Sequence, residues 1–158
     1  MTLDELLARE AIRDTMARYT TAGDRLMVED FVACFTEDGI MEAEHRDPAS
    51  AFRYEGRAAI RDWQLRWRDR TVGGEAVHQA SFVRHHLSTS RIEFKAADFA
   101  EARTYWVAWT DIGPDHAGYY LDRFDQQGDR WLIAHRRVRE DWRSPQSLFG
   151  TAVINSSS

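Results

Sequence analysis

The 158-residue sequence has a single cysteine, Cys34, so an intramolecular disulfide is excluded, and with no Cys cluster so is a cysteine-built zinc site. It has no apolar run longer than about five residues (Phe31 to Phe35, Tyr105 to Trp109), far short of the ~20 that span a bilayer. It has no run of Lys or Arg beyond a dipeptide, and 21 Lys+Arg against 26 Asp+Glu give a formal charge of -5. Neutralising a phosphate backbone needs a basic face, so nucleic acid is not an expected partner. Met1-Thr2-Leu3-Asp4-Glu5 lacks the basic start and apolar stretch of a secretory leader. The expectation is a soluble chain in a reducing, cytoplasmic setting, without a membrane partner. Gly-x-Gly-x-x-Gly, Gly-x-x-x-x-Gly-Lys and Gly-x-Ser-x-Gly are absent, which disfavours nucleotide binding and the common serine hydrolase arrangement.

Rings are abundant: six Trp, five Tyr and eight Phe make 12% of one domain-sized chain. Either the core is ring-rich or the rings line something. Thr2-x-x-Glu5 has the form of a capping box, and Leu3, Leu6, Leu7, Ile12, Met16 and Tyr19 follow helical spacing over about 3–22. Gly23 is read as the left-handed residue that ends this helix, with Asp24 just beyond it. A short helix is expected over about 27–35, a Thr36-Glu37-Asp38-Gly39 turn, a strand over 40–44, and a loop or bent hairpin over 45–56. A third helix over about 57–70 places Ile60, Trp63 and Trp67 on one face, and Gly73-Gly74 breaks it. Four β-branched and aromatic runs follow, at about 81–95, 100–112, 117–125 and 130–141, with hairpin-length connections. Helices followed by an antiparallel meander make an α+β domain with helices over one face of a curved sheet. The domain is read as 1–143, and 144–158 as a polar tail that is partly disordered or closes a cavity.

The histidines are His45, His78, His85, His86, His116 and His135. His85 and His86 are adjacent on a strand, so only one can face an interior. No metal-helix spacing occurs, so a bound metal is not expected. From the residues alone, Asp24 reads as a turn residue and His85 as a strand wall residue.

Tyr19-x-x-x-x-Asp24, Phe35-Thr36-Glu37-Asp38-Gly39, Arg84-His85-His86 and Gly128-Asp129-Arg130-Trp131-Leu132-Ile133-Ala134 occur in an order and spacing that resembles the SnoaL-like family of the NTF2-like superfamily. Scytalone dehydratase, bile-acid dehydratase and hexachlorocyclohexane dehydrochlorinase are similar members. The resemblance covers about residues 3–143. It implies a cone of curved, mostly antiparallel sheet and three or four helices, open to a small apolar molecule, in a homo-oligomer (dimer or trimer). It also implies a catalytic dyad of Asp24 and His85, with Tyr19 binding a substrate oxygen. The alternative for Tyr19 is a core ring with its hydroxyl at the surface.

Further wall candidates come from strand alternation and that resemblance. Arg136 is a cation in an otherwise apolar row, so it either snorkels at an edge or anchors an anionic oxygen. Tyr119 is placed inward by the resemblance. On strand 100–112, Tyr105, Val107 and Trp109 compete with Thr104, Trp106 and Ala108; Tyr105 and Trp109 are taken as the lining pair, with Met41 and Tyr54. The dehydratase relative's second catalytic histidine has no counterpart in the Tyr105 row. Trp63, Trp67 and Trp131 are read as structural core. The implied activity is a cofactor-independent lyase or isomerase, dehydratase-like or polyketide cyclase-like. The alternatives are a non-catalytic subunit resembling the small subunit of ring dioxygenases, and a hydrolase of an epoxide or ester.

Overall fold

A computed structural model describes residues 1–44, 51–72 and 79–149, with the side chains of 70–72 excepted. His45 and His78, the Gly73-Gly74 break and the tail beyond 149 lie outside the described residues. The elements are α1 (Leu3–Asp24), α2 (Val28–Val32), β1 (Phe35–Glu44), β2 (Phe52–Glu55), α3 (Gly56–Val72), β3 (Arg84–Ala96), β4 (Phe99–Thr110), β5 (Gly113–Gln127) and β6 (Arg130–Arg143). They form the expected α+β cone: one six-stranded sheet in the order β2-β1-β6-β5-β4-β3, antiparallel except for the parallel β1–β6 pair.

The capping box at Thr2 and Glu5 forms and starts α1. Its end differs from the expectation. Gly23 remains helical, and Leu26 takes the left-handed conformation (φ 55°), with the Met27 amide donating to the Ala22 carbonyl and the Leu26 amide to the Gly23 carbonyl. This is a Schellman closure on a non-glycine residue. Gly23 serves a different need: a Cβ there would lie 3.3 Å from the Phe31 ring of α2. The turn expected at 36–39 is an irregularity within β1, where the register with β6 shifts between Phe35 and Ile40. Gly39 permits it, since a Cβ would come within 3.0 Å of the Ile133 carbonyl. Residues 52–55 pair with β1 as the second arm of a hairpin.

The concave face is best seen as rungs running across the strands. At the wide end lie His85, Ala108, His116 and Arg143; below them Leu87, Trp106, Gly118 and Glu140; then Ser90, Thr104, Tyr120, Val138 and Ala43. The fourth rung is Ile92, Ala102, Asp122, Arg136 and Met41, and the fifth is Phe94, Ala100, Phe124, Ile133 and Phe35. Three bulges keep these rows aligned: near Ser88 in β3, and near Ala134 and Asp141 in β6. Each inserts one residue and shifts which side chains point inward. Consequently the inward set of β6 is Trp131, Ile133, Arg136, Val138, Glu140 and Arg143, drawn from both alternating rows. The deepest rungs pack on Ile12, Met16, Phe31 and Val32 of α1 and α2 to make the core.

Candidate functional site

The upper rungs, α1, α2 and α3 line a cavity of about 250 Å³. Two larger depressions, of about 640 and 540 Å³, lie on the outside near the α1 start and on the convex face of the sheet. The second is lined by His135, whose Nε2 lies 2.9 Å from Glu42, but by arginines and glutamates rather than rings, and neither includes Asp24, His85, Asp115 or His116, so the smaller, ring-lined space is the candidate site.

The structure brings Asp24 and His85 together at its wall. Asp24 ends α1, and its Oδ1 lies 2.6 Å from His85 Nδ1 while its Oδ2 accepts from the His85 backbone amide at 2.9 Å. One carboxylate therefore fixes both the strand end and the ring. A carboxylate only accepts, so His85 Nδ1 is the donor in this contact, which selects the tautomer whose other nitrogen, Nε2, is the acceptor. Tyr19 also lines the cavity, although α1 does not end between it and Asp24. Tyr19, Thr20, Gly23 and Asp24 stand at i, i+1, i+4 and i+5, a single helix stripe wide enough to reach the cavity at both levels. The Tyr19 ring is 4.6 Å from Phe31 and its hydroxyl is 3.9 Å from Met41 Sδ. Burial raises its pKa, partly opposed by Arg136, so the phenol stays neutral. Met41 lines the cavity.

Other residues read as wall from the sequence are not brought to the cavity. Tyr105 and Trp109 are 45% and 42% exposed on the convex face; the inward row of β4 is Thr104, Trp106 and Ala108. Tyr119 is also turned outward, its ring under Arg103 at 3.8 Å, and Tyr120 takes the inward place. Tyr54 packs beside Phe52 and Trp63 behind the wall. Arg136 neither snorkels nor reaches the cavity. It is fully buried on the fourth rung, held through two hydrogen bonds by Asp122 (2.8 and 2.7 Å) and lying 4.0 and 4.1 Å from the Tyr19 and Tyr120 ring centres. Burial opposes its charge, but the adjoining Asp122 carboxylate wins and holds it above the ordinary arginine range. Conversely, Trp63 and Trp67, read as structural core, line the cavity from α3.

A buried arginine requires a counter-ion on a neighbouring inward row. Asp122, which shares its row on β5 with Tyr120 and Phe124, is that counter-ion, and pairing it with Arg136 turns Tyr120 inward and Tyr119 outward. That orientation also brings in His116, which sequence reasoning missed. His116 Nδ1 lies 2.7 Å from Asp115 Oδ1, and the ring centre is 6.1 Å from that of His85. The two meet because Ala108, between them on the rung, carries only a methyl group. Burial lowers the His116 pKa; Arg143 and His85 add to this, and the Asp115 contact opposes it. Trp106 forms the next wall, 5.8 Å from His85 and 5.6 Å from His116, with a buried Nε1–H that has no acceptor among the described residues. Residues Ser144 to Phe149 cross the wide end, and Phe149 stands 5.2 Å from His116. Cys34 is buried with its thiol pKa pushed up to about 11 by desolvation, an inert setting. Among the described residues, no three His, Cys, Asp or Glu side chains converge as a metal site would need.

Residues 4–137 match the SnoaL-like domain family. No protein of curated function matches the chain significantly. Among solved structures, a candidate scytalone dehydratase of Novosphingobium aromaticivorans is 23% identical, with a TM-score of 0.70 and 91% of each chain covered. The beta subunit of a candidate aromatic-ring-hydroxylating dioxygenase from the same organism is 23% identical, with a TM-score of 0.71, covering 93% of this chain and 97% of that one. A hexachlorocyclohexane dehydrochlorinase, LinA-type3, from Novosphingobium barchaimii is 17% identical, with a TM-score of 0.69, covering 90% and 92%. These identities speak for a shared fold.

Proposed function

The chain belongs to the SnoaL-like domain family, and from that premise we propose that it is a cofactor-independent lyase or isomerase of dehydratase type, acting on a small carbonyl or hydroxy compound. The observation that carries this reading is the Asp24–His85 contact at 2.6 Å on the wall of a ring-lined cavity. A carboxylate that fixes the Nδ1–H tautomer and stabilises the imidazolium makes Nε2 a base suited to neutral pH. His85 removes a proton from the carbon next to a carbonyl, the electron pair is held on the carbonyl oxygen as an enolate, and it returns to form the new C=C as the group on the next carbon departs, a hydroxyl taking the proton back from His85 to leave as water and a halide leaving with its bonding pair. Developing oxyanion charge is met by neutral donors of the wall, the Tyr19 hydroxyl and the Trp106 indole N–H. Arg136, engaged by Asp122, acts from below by holding the Tyr19 and Tyr120 rings. The fold neighbours described as a dehydratase and a dehydrochlorinase support this class.

The test is solvent exchange. In D₂O, the protein should catalyse deuterium entry beside the carbonyl of cyclohexanone, and His85→Ala should abolish it. Exchange that survives in a folded His85→Ala variant sinks the dyad. A second reading, a non-catalytic scaffold subunit, is favoured by one observation: Tyr105, Trp109 and Trp142 stand exposed, the first two on the convex side of β4. A purified chain that exchanges no deuterium and stays soluble only with a co-expressed partner would support it.

A further inference from the structure

Buried side-chain polar groups are almost always hydrogen-bonded, so an exception beside a cavity needs a reason. Gln64 is such an exception. It is 2% exposed and lines the candidate site from α3, on the stripe that also carries Ile60, Trp63 and Trp67. Its carboxamide makes no hydrogen bond to any described residue. The partnerless side-chain atoms that are sealed off completely among the described residues are Trp106 Nε1 and Arg136 Nη1. The Gln64 amide is not one of them, so the little surface it keeps opens into the cavity it lines. Other polar side chains of this wall are engaged. Asp24 holds His85, Asp115 holds His116, Glu140 holds Arg143, and Thr20 donates to the Met16 carbonyl. Tyr19 points its hydroxyl at Met41 Sδ. Tyr120 makes no hydrogen bond either, but its ring has a packing reason, being stacked on Trp106 and lying under Arg136. Gln64 has none. A leucine of similar volume would fill its place without leaving an amide unpaired.

The position of Gln64 matters as much as its chemistry. Helix α3 packs on β1, β2 and α2, at one edge of the sheet, whereas His85 is on β3, the strand at the other edge. The cavity therefore has the Asp24–His85 pair on one side and an unpaired carboxamide on the other. A carboxamide both donates and accepts, and so does a hydroxyl. We propose that Gln64 is a ligand-recognition residue whose carboxamide binds a hydroxyl of the guest at the end remote from His85, which makes the ligand a small ring compound with a polar group at each end. This rests on the reading given above for the carbonyl end beside His85 and adds the second end. The hydroxyl at Gln64 does not react; it fixes how the ring lies in the cavity. An analogue with an apolar group in its place leaves the carboxamide unpaired, and that penalty is the source of discrimination. For the same reason the empty protein is less stable than one with an apolar residue at this position.

The experiment compares binding of 4-hydroxycyclohexanone and 4-methylcyclohexanone to the full chain by calorimetry. The two probes are close in size, and their substituent lies across the ring from the carbonyl. The expected result is a preference of about tenfold for the hydroxy probe, the size of one buried hydrogen bond. In Gln64→Leu and Gln64→Met the preference should disappear or pass to the methyl probe. Without ligand, the same two variants should melt about 2–4 °C higher, because the unpaired amide is gone. A glutamine held by a structural partner would give the opposite shift. The preference should remain in His85→Ala, which alters the other side of the cavity. Equal binding of the probes, failure of both to bind at millimolar concentration, an unchanged preference in the Gln64 variants, or a lower melting temperature in them overturns the proposal. Deuterium entry into cyclohexanone with equal binding of the two probes removes the role of Gln64 and leaves the proton transfer; a hydroxyl preference without exchange does the reverse.

Discussion

Strands β4 and β5 carry aromatic rows on both faces, and the two faces do opposite work. Inward, Thr104, Trp106 and Ala108 face Tyr120, Gly118 and His116 across the rungs and are buried; outward, Tyr105 and Trp109 are more than two-fifths exposed. The outward rings do not lack partners. Arg103 lies against Tyr105 and Tyr119, and His86 stands 6.1 Å from Trp109. Ring content therefore does not distinguish the cavity face from the solvent face. Charge does, because water tolerates an unpaired cation and the interior does not.

The sharpest way to break the comparison is to remove one member of the inward ion pair. Arg136→Met leaves Asp122 buried and uncompensated, and urea unfolding should show a loss of about 3–5 kcal/mol; joining it with Asp122→Leu should recover most of that. A loss below about 1 kcal/mol would show that the two charges are not truly interior. Next in size is a comparison of neighbours on one strand. Trp106→Ala should cost about 3 kcal/mol and Tyr105→Ala less than about 1 kcal/mol, measured by the same unfolding curves. Equal losses would contradict the assignment of faces.

Acid sharpens the comparison at the wide end of the cone. The folded pKa of His116 lies below its unfolded value, so the unfolded chain takes up that proton first as pH drops below about 6.5. The stability present at neutral pH is lost across the window down to the folded pKa. Asp115, also lowered, adds a second loss as pH falls below about 3.8 toward its folded value. A melting-temperature series should therefore decline in two stages, and His116→Leu should remove the first. The smallest effect belongs to the outer rings: Trp109→Ser with Trp142→Ser should leave the unfolding free energy within about 0.5 kcal/mol for each site. Size-exclusion elution should move toward the monomer if copies of the chain meet on that face.

Much of this molecule could be read along the chain. The capping box set the start of α1, glycine and polar clusters separated the strands, and β-branched and aromatic runs marked the meander. Asp24, His85 and Tyr19 were legible through the ordered resemblance, which places each by its neighbours along the chain and does not depend on where α1 ends. His116 and Trp106 were not, because alternation offers two faces and does not name the inner one. Bulges made it harder still. In β6, two inserted residues switch the inward set between rows, so that Arg136 and Ile133 share a face despite an odd separation. The one local cue was the matched pair of charges in apolar rows, Asp122 and Arg136.

The sequence by itself determined the succession of helices and strands, the hairpin connections and the residues able to move a proton, because these depend on local propensity and side-chain chemistry. Only the tertiary structure decided which rings line the cavity and which histidines share it. His85 and His116 are 31 positions apart in the chain and come within reach across β4 because Ala108 occupies the rung between them. That contact depends on sheet curvature, bulge positions and strand order, which are long-range properties that no single stretch of residues encodes.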